Sequence, residues 1–105
     1  MCEYAWSSIQ KPAKIWRLSV MKEQNKIHPT QKPVELYEWL ILNNAEKGFK
    51  IIDTHLGSAS IAIAIDIINK REKWDLRFVG CELDKDYFDL SVNRVKEKLA
   101  IQYLF

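Results

Sequence analysis

Two acids, each closing an apolar run, are the residues of this sequence best suited to chemistry. Asp53 follows Phe49-Lys50-Ile51-Ile52, and Glu82 follows Phe78-Val79-Gly80-Cys81. Between them lies the small-residue turn Thr54-His55-Leu56-Gly57-Ser58-Ala59-Ser60. A carboxylate at a strand end accepts hydrogen bonds, from an ammonium group at Asp53 and from paired ribose hydroxyls at Glu82. Gly57 permits close approach of backbone to a ligand, and the helix start after Ser58 offers free N–H groups. The chemistry implied is binding: a nucleoside-type cofactor held beyond the carboxyl ends of two strands. A turn of this kind also serves as a plain strand-to-helix connection, and Glu82 is what weighs against that plainer role. His55 has no companion His, Cys or carboxylate at metal-ligand spacing, so it is expected to line the site or bond locally. His28, placed before a proline, reads as structural. The four tryptophans could stack on bases, but on short apolar elements they are expected in the core.

These residues need elements to position them. Residues 49–53 and 78–82 read as strands. The run Ile61-Ala62-Ile63-Ala64-Ile65-Asp66-Ile67-Ile68 is ambiguous by alternation. It is read as a helix because parallel strands need a crossover element and because its alanines allow close packing on a sheet. Asp84 is the expected N-cap of a further helix over roughly residues 85–98, with Tyr87, Leu90, Ser91, Arg94, Val95 and Leu99 setting its spacing. The tail, residues 101–105, reads equally as a helix end or a third strand. Upstream, Pro33 opens a helix expected to carry Leu36, Trp39, Leu40 and Asn43 on one face, with Val34 and Ile41 flanking it. Residues 3–8 and 14–20 form an expected hairpin, with Pro12 in the turn between them. The fold class is therefore α/β, and 105 residues make one domain at most.

Composition excludes more than it proposes. A chain 48% hydrophobic and 29% charged is ordinary for a globular protein, and a net charge of +2 spreads 16 basic residues among 14 acidic ones. No dense basic patch announces nucleic-acid binding. Cys2 and Cys81 have no metal-ligand spacing, and Cys81 is expected as a buried free thiol. No run is long enough to span a bilayer and no leader pattern opens the chain, so no membrane partner and an intracellular, cytoplasmic setting are expected.

Taken in order, the motifs resemble a known family. The chain is similar to the carboxy-terminal half of amino-group DNA methyltransferases that modify adenine N6 or cytosine N4, in the phage-type subgroup whose catalytic half comes first. His28-Pro29-Thr30-Gln31-Lys32-Pro33 resembles the element before that family's first cofactor strand. Residues 53–60 are similar to its Asp-Pro-Phe-x-Gly-Ser-Gly-Thr loop, with Thr54-His55 in place of Pro-Phe and Ala59 in place of the second glycine. Residues 78–84 with Tyr87-Phe88 resemble its second cofactor motif, and residues 2–8 a segment common in adenine methyltransferases.

The resemblance implies a partial Rossmann-like fold with an incomplete sheet, in which residues 1–27 are hairpin and loop and residues 28–105 the cofactor segment. It implies S-adenosylmethionine as cofactor. Asp53 would meet its ammonium group, while His55, Gly57 and Ser58 would line it. Glu82 would hold the ribose hydroxyls, and Leu83 would pack on the adenine. Thr30, Gln31 and Lys32 would approach the methionine end, with Lys32 a candidate for its carboxylate. The extra methyl of Ala59 is expected to crowd the close approach of the loop backbone to the cofactor and so to weaken affinity. The family's catalytic signature has two adjacent prolines, and here Pro12, Pro29 and Pro33 stand apart. The expectation is thus the cofactor-binding portion of a restriction-modification type enzyme in a bacterial or phage-infected cell, truncated and inactive alone. It would act on DNA through the complete enzyme and pair with the missing catalytic half or with itself. A non-catalytic assembly module on the same fold is the alternative.

Overall fold

The structure is a computed structural model that describes residues 6–12, 14–17 and 31–104, with residues 99–104 described by their backbone alone. Its elements run α1 (Val34–Asn44), β1 (Lys50–Asp53), α2 (Ser60–Glu72), β2 (Arg77–Gly80) and α3 (Lys85–Leu104). The two strands pair in parallel, Lys50 beside Arg77 and Asp53 beside Gly80, with α2 as the crossover. The ladder continues past the strand ends. The N–H of Cys81 donates to the Asp53 carbonyl at 2.9 Å, and the N–H of Leu56 donates to the Cys81 carbonyl at 2.8 Å. These bonds carry the strand register into both loops, which is how the acids' neighbourhoods are brought together.

Helix α2 is the element on which the others pack. Ile63, Ala64, Ile65 and Ile68 are buried along it, and Ala64 and Ile68 are 0% exposed. Ile41 of α1 and Leu76 before β2 join Ala64, Ile65 and Ile68 in the core, with Ile51 and Phe78 of the sheet packed against it. Burying an isoleucine is worth roughly 1.5–3 kcal/mol, more than the few tenths that β-branching costs a helix. Packing therefore decides the ambiguous isoleucine run in favour of the helix. The helix ends at Lys73, which takes the left-handed conformation (φ 59°) and donates its N–H to the Asn69 carbonyl at 3.1 Å. The loop beyond is held by the Asn69 side chain. Its Nδ2 donates to the Leu76 carbonyl at 2.9 Å, and its Oδ1 accepts the Leu76 N–H at 2.7 Å.

Helix α3 starts as expected, with Asp84 Oδ1 accepting the Tyr87 N–H at 3.1 Å. It runs on to Leu104, so the tail is helical as far as that residue. Helix α1 departs from expectation in its inner face. The expected flanking residues Ile41 and Val34, with Tyr37 and Ala45, meet the core rather than the stripe of Leu36, Trp39, Leu40 and Asn43. The helix is apolar on more than one side, so its periodicity alone does not choose the buried one.

The expected hairpin is not formed where the chain is described. Residues 6–12 and 14–17 carry no strand, and the rest of both runs lies outside the described residues. Lys11 Nζ instead donates to the Asn43 carbonyl, and Lys14 Nζ donates to Asn43 Oδ1 at 3.5 Å. An isolated two-stranded hairpin is marginal in water, whereas the end of α1 offers unpaired carbonyls to a cation. Trp6, expected in the core, is 89% exposed, while Trp74 packs against it. Cys81 is exposed rather than buried, because β2 ends one residue before it.

The helices cover one face of the sheet. On the other, Ile52 and Val79 are side by side in register and 67% and 61% exposed. Parallel sheets are ordinarily covered on both faces.

Candidate cofactor site

Beyond the carboxyl ends of β1 and β2 lies a cavity of about 540 Å³. Gln31 and Lys32, just before α1, form one wall; His55, Gly57 and Ser58 of the β1–α2 loop form another; Glu82 and Leu83 close it after β2. Seven of the nine residues singled out in the sequence thus line one space. Thr30 lies outside the described residues. Asp53 stands behind the lining: its Oδ1 accepts the His55 N–H at 2.9 Å and so shapes the loop. His55 Nδ1 lies 2.9 Å from the Thr54 hydroxyl. Tyr37, Thr54, Leu56 and Ser60 also line the cavity and were not singled out. Tyr37 is a helix residue whose exposure to a cleft depends on how α1 packs, and no local pattern carries that information.

Glu82 ties the two loops together. Its Oε1 accepts the Gly57 N–H at 2.9 Å and its Oε2 accepts the Asp84 N–H at 3.1 Å. Gly57 meets that carboxylate in the left-handed conformation, φ 58°. Gly80 gives the loop its room, since a Cβ there would lie 2.7 Å from Leu56 Cδ1 and 3.0 Å from Phe78 Cζ. Leu83 holds its side chain fully out in the open. Ala59, also left-handed with φ 64°, is 1% exposed. Its methyl faces the interior and is not part of the cavity lining, so the expected crowding of the ligand falls instead on the backbone as strain.

Behind the loop stands α3. Ser91, 0% exposed, donates its hydroxyl to the Gly57 carbonyl and shares that proton with the Tyr87 carbonyl at 2.7 Å. One guanidinium nitrogen of Arg94 donates to the Ser58 carbonyl at 2.8 Å and to Ser60 Oγ at 2.9 Å. Burial lowers the Arg94 pKa from its ordinary value. In the sequence, Ser91 and Arg94 stand out only as members of the helical spacing of α3. Polar residues in the same stripe as Tyr87, Leu90 and Val95 were the signal available. Among the described residues no group of three or more His, Cys, Asp and Glu is arranged for a metal, and no helix is long and apolar enough to cross a membrane.

A parallel strand–helix–strand unit with a cleft beyond its strand ends is part of an α/β fold. Comparison with known proteins narrows this further. The DNA methylase family model matches residues 4–93, and the chain belongs to that family. It is 34% identical over 87 residues to the type II methyltransferase M2.MboI of Moraxella bovis, covering 79% of this chain and 29% of that protein. It is 28% identical over 87 residues to the type II methyltransferase M.HpaI of Haemophilus parainfluenzae, covering 80% and 26%. The same identity and length hold for the DNA adenine methyltransferase YhdJ of Escherichia coli K12, covering 80% and 28%. The aligned stretch thus spans between a quarter and a third of these relatives.

Proposed function

We propose that this chain is the cofactor-binding portion of a site-specific DNA methyltransferase of the adenine-N6 type, and that it binds S-adenosylmethionine without transferring its methyl group. Glu82 is the observation that carries the reading. Both of its oxygens already accept a backbone N–H, which fixes the carboxylate in place. A carboxylate fixed in this way just beyond the end of the second strand is placed where paired ribose hydroxyls are held in nucleoside sites. The cavity volume falls in the range of about 300–1,000 Å³ typical of small-molecule sites. Leu83 offers an uncovered apolar side chain for the adenine ring. Gln31 and Lys32 form the wall assigned to the methionine end, and the loop N–H of Ser58, a lining residue, has no acceptor among the described residues. Asp53 acts first on the loop, through His55, and meets the ammonium group of a ligand seated against the end of β1.

When bound, S-adenosylmethionine supplies an electrophilic methyl on its sulfonium. The residues described here hold and orient that group. Accepting hydrogen bonds from a base's amino group is the task of a loop with adjacent prolines, and no two prolines of this chain are adjacent. Among the described residues the sheet has two strands, so the outer edge of β1, beside the exposed Ile52 and Val79, suits pairing with the remaining strands of such an enzyme or with a second copy. The test is incubation of this chain with methyl-labelled cofactor and bacterial DNA. Label retained by the protein after rapid filtration, with none on the DNA, is expected; label on the DNA contradicts the proposed division of labour.

A further inference from the structure

The β1–α2 loop makes its contacts with the cavity through its front, yet its most buried bonds are at its back. Ser91 and Arg94 lie three residues apart on α3, one turn of the helix, and so project from one face. Each takes hold of a carbonyl of consecutive loop residues: Ser91 that of Gly57, Arg94 that of Ser58. Arg94 also reaches Ser58 Oγ at 3.3 Å and Ser60 Oγ at 2.9 Å, and those hydroxyls lie 3.3 Å from each other. Ser58 and Ser60 are buried, 5% and 2% exposed.

Two features separate this cluster from ordinary packing. First, Arg94 has no carboxylate partner among the described residues, and only neutral oxygens receive it. A partly desolvated cation without a counter-charge is costly, and a methionine or leucine would fill the same space at less cost. Second, the peptide plane converts a hold on one side into a direction on the other. In a trans peptide the C=O of residue i and the N–H of residue i+1 point opposite ways. With the Gly57 carbonyl drawn toward α3, the Ser58 N–H is turned away from α3, and it has no acceptor among the described residues. The N–H of Gly57 is meanwhile drawn to Glu82. The loop is thus held from behind by α3 and from in front by Glu82, and Ser58 is among the residues that line the cavity.

We infer that Ser91 and Arg94 are positioning residues: from α3 they fix the Gly57–Ser58 peptide so that the Ser58 N–H stays presented to the ligand in the cavity. The ligand's identity rests on the proposed function, but the clamp itself does not. The consequence is that α3, which contributes no residue to the lining, sets the affinity of the site.

The test compares wild-type protein with Arg94→Met, Arg94→Lys and Ser91→Ala. Amide hydrogen exchange without ligand is read at residues 57–60 and, as reference, in β1 and α2. S-adenosylhomocysteine binding is read by calorimetry. Arg94→Met keeps the apolar stem and loses the donors. It should speed exchange at the bonded loop amides of Gly57 and Ala59 by roughly tenfold or more and weaken binding by a similar factor, with the β1 amides and those of α2 beyond its first turn unchanged. Arg94→Lys retains one donor and should fall between; Ser91→Ala should act on the same amides. Equal acceleration across β1, α2 and the loop, or an unaltered loop in both Arg94→Met and Ser91→Ala, overturns the inference. A wild-type protein that takes up no adenosyl compound while its loop responds as described would refute the proposed cofactor and leave the clamp standing.

Discussion

At Glu82 one side chain serves two loops, and this makes its substitution more informative than that of any other cavity residue. Its neighbour in space, Gly80, is the simpler case. Gly80→Ala places a methyl 2.7 Å from Leu56 Cδ1, and the leucine, being the flexible partner, must give way. Leu56 lines the cavity and the Phe78 ring is also crowded, so the expected result is weaker ligand binding with a loss of fold stability of about 1–3 kcal/mol. Parallel calorimetric titration and urea denaturation check this. Much of the residue-level site was legible because the relevant side chains follow strand ends, where sequence order and spatial position coincide. His55, Gly57, Ser58, Glu82 and Leu83 converge for that reason, whereas Gln31 and Lys32, which precede α1, were legible only through the family resemblance. Asp53 does not join them, since the pleat sends it to the side of Ile51 and its carboxylate turns to the His55 N–H. Ser91 and Arg94 were out of reach, because their partners lie 34 and 36 residues away.

Among the elements, the α2–β2 connection carries a stability prediction. Asn69 satisfies both backbone groups of Leu76 with one amide side chain, and Leu76 is 5% exposed. Asn69→Ala leaves a buried N–H and C=O without partners and should cost about 1–3 kcal/mol, read as a lower urea midpoint. Asn69→Asp retains the acceptor but not the donor and should cost less than the alanine. The order helix, strand, helix, strand, helix could be read from apolar runs and turn residues. The buried side of α1 could not, since Val34, Tyr37 and Ile41 compete with Leu36, Trp39 and Leu40 on an all-round apolar helix. Nor could the fate of the Lys11 and Lys14 segment, which is settled by carbonyls of Asn43 nearly thirty residues or more distant. Alternation in residues 14–17 suits a strand, but a strand needs a neighbour to pair with.

For the molecule as a whole, the uncovered sheet face is the feature with consequences. Ile52 and Val79 are adjacent in register and open to solvent, a small apolar patch on a face that parallel sheets usually bury. The wild-type chain should therefore self-associate at micromolar concentration. The double variant Ile52→Glu with Val79→Lys keeps the net charge, sets opposite charges side by side, and should shift sedimentation toward monomer while moving stability by about 1 kcal/mol or less. A wild-type chain that sediments as a monodisperse monomer contradicts this. The central claim, that a nucleoside cofactor sits between the two loops joined by Glu82, is tested most directly by calorimetric titration of the whole chain with S-adenosylhomocysteine. Saturable one-to-one binding is predicted, weakened roughly tenfold or more in Glu82→Gln, whose amide turns a donor against one of the two backbone N–H groups. A wild-type titration without heat of binding, or equal affinity in Glu82→Gln, would contradict it.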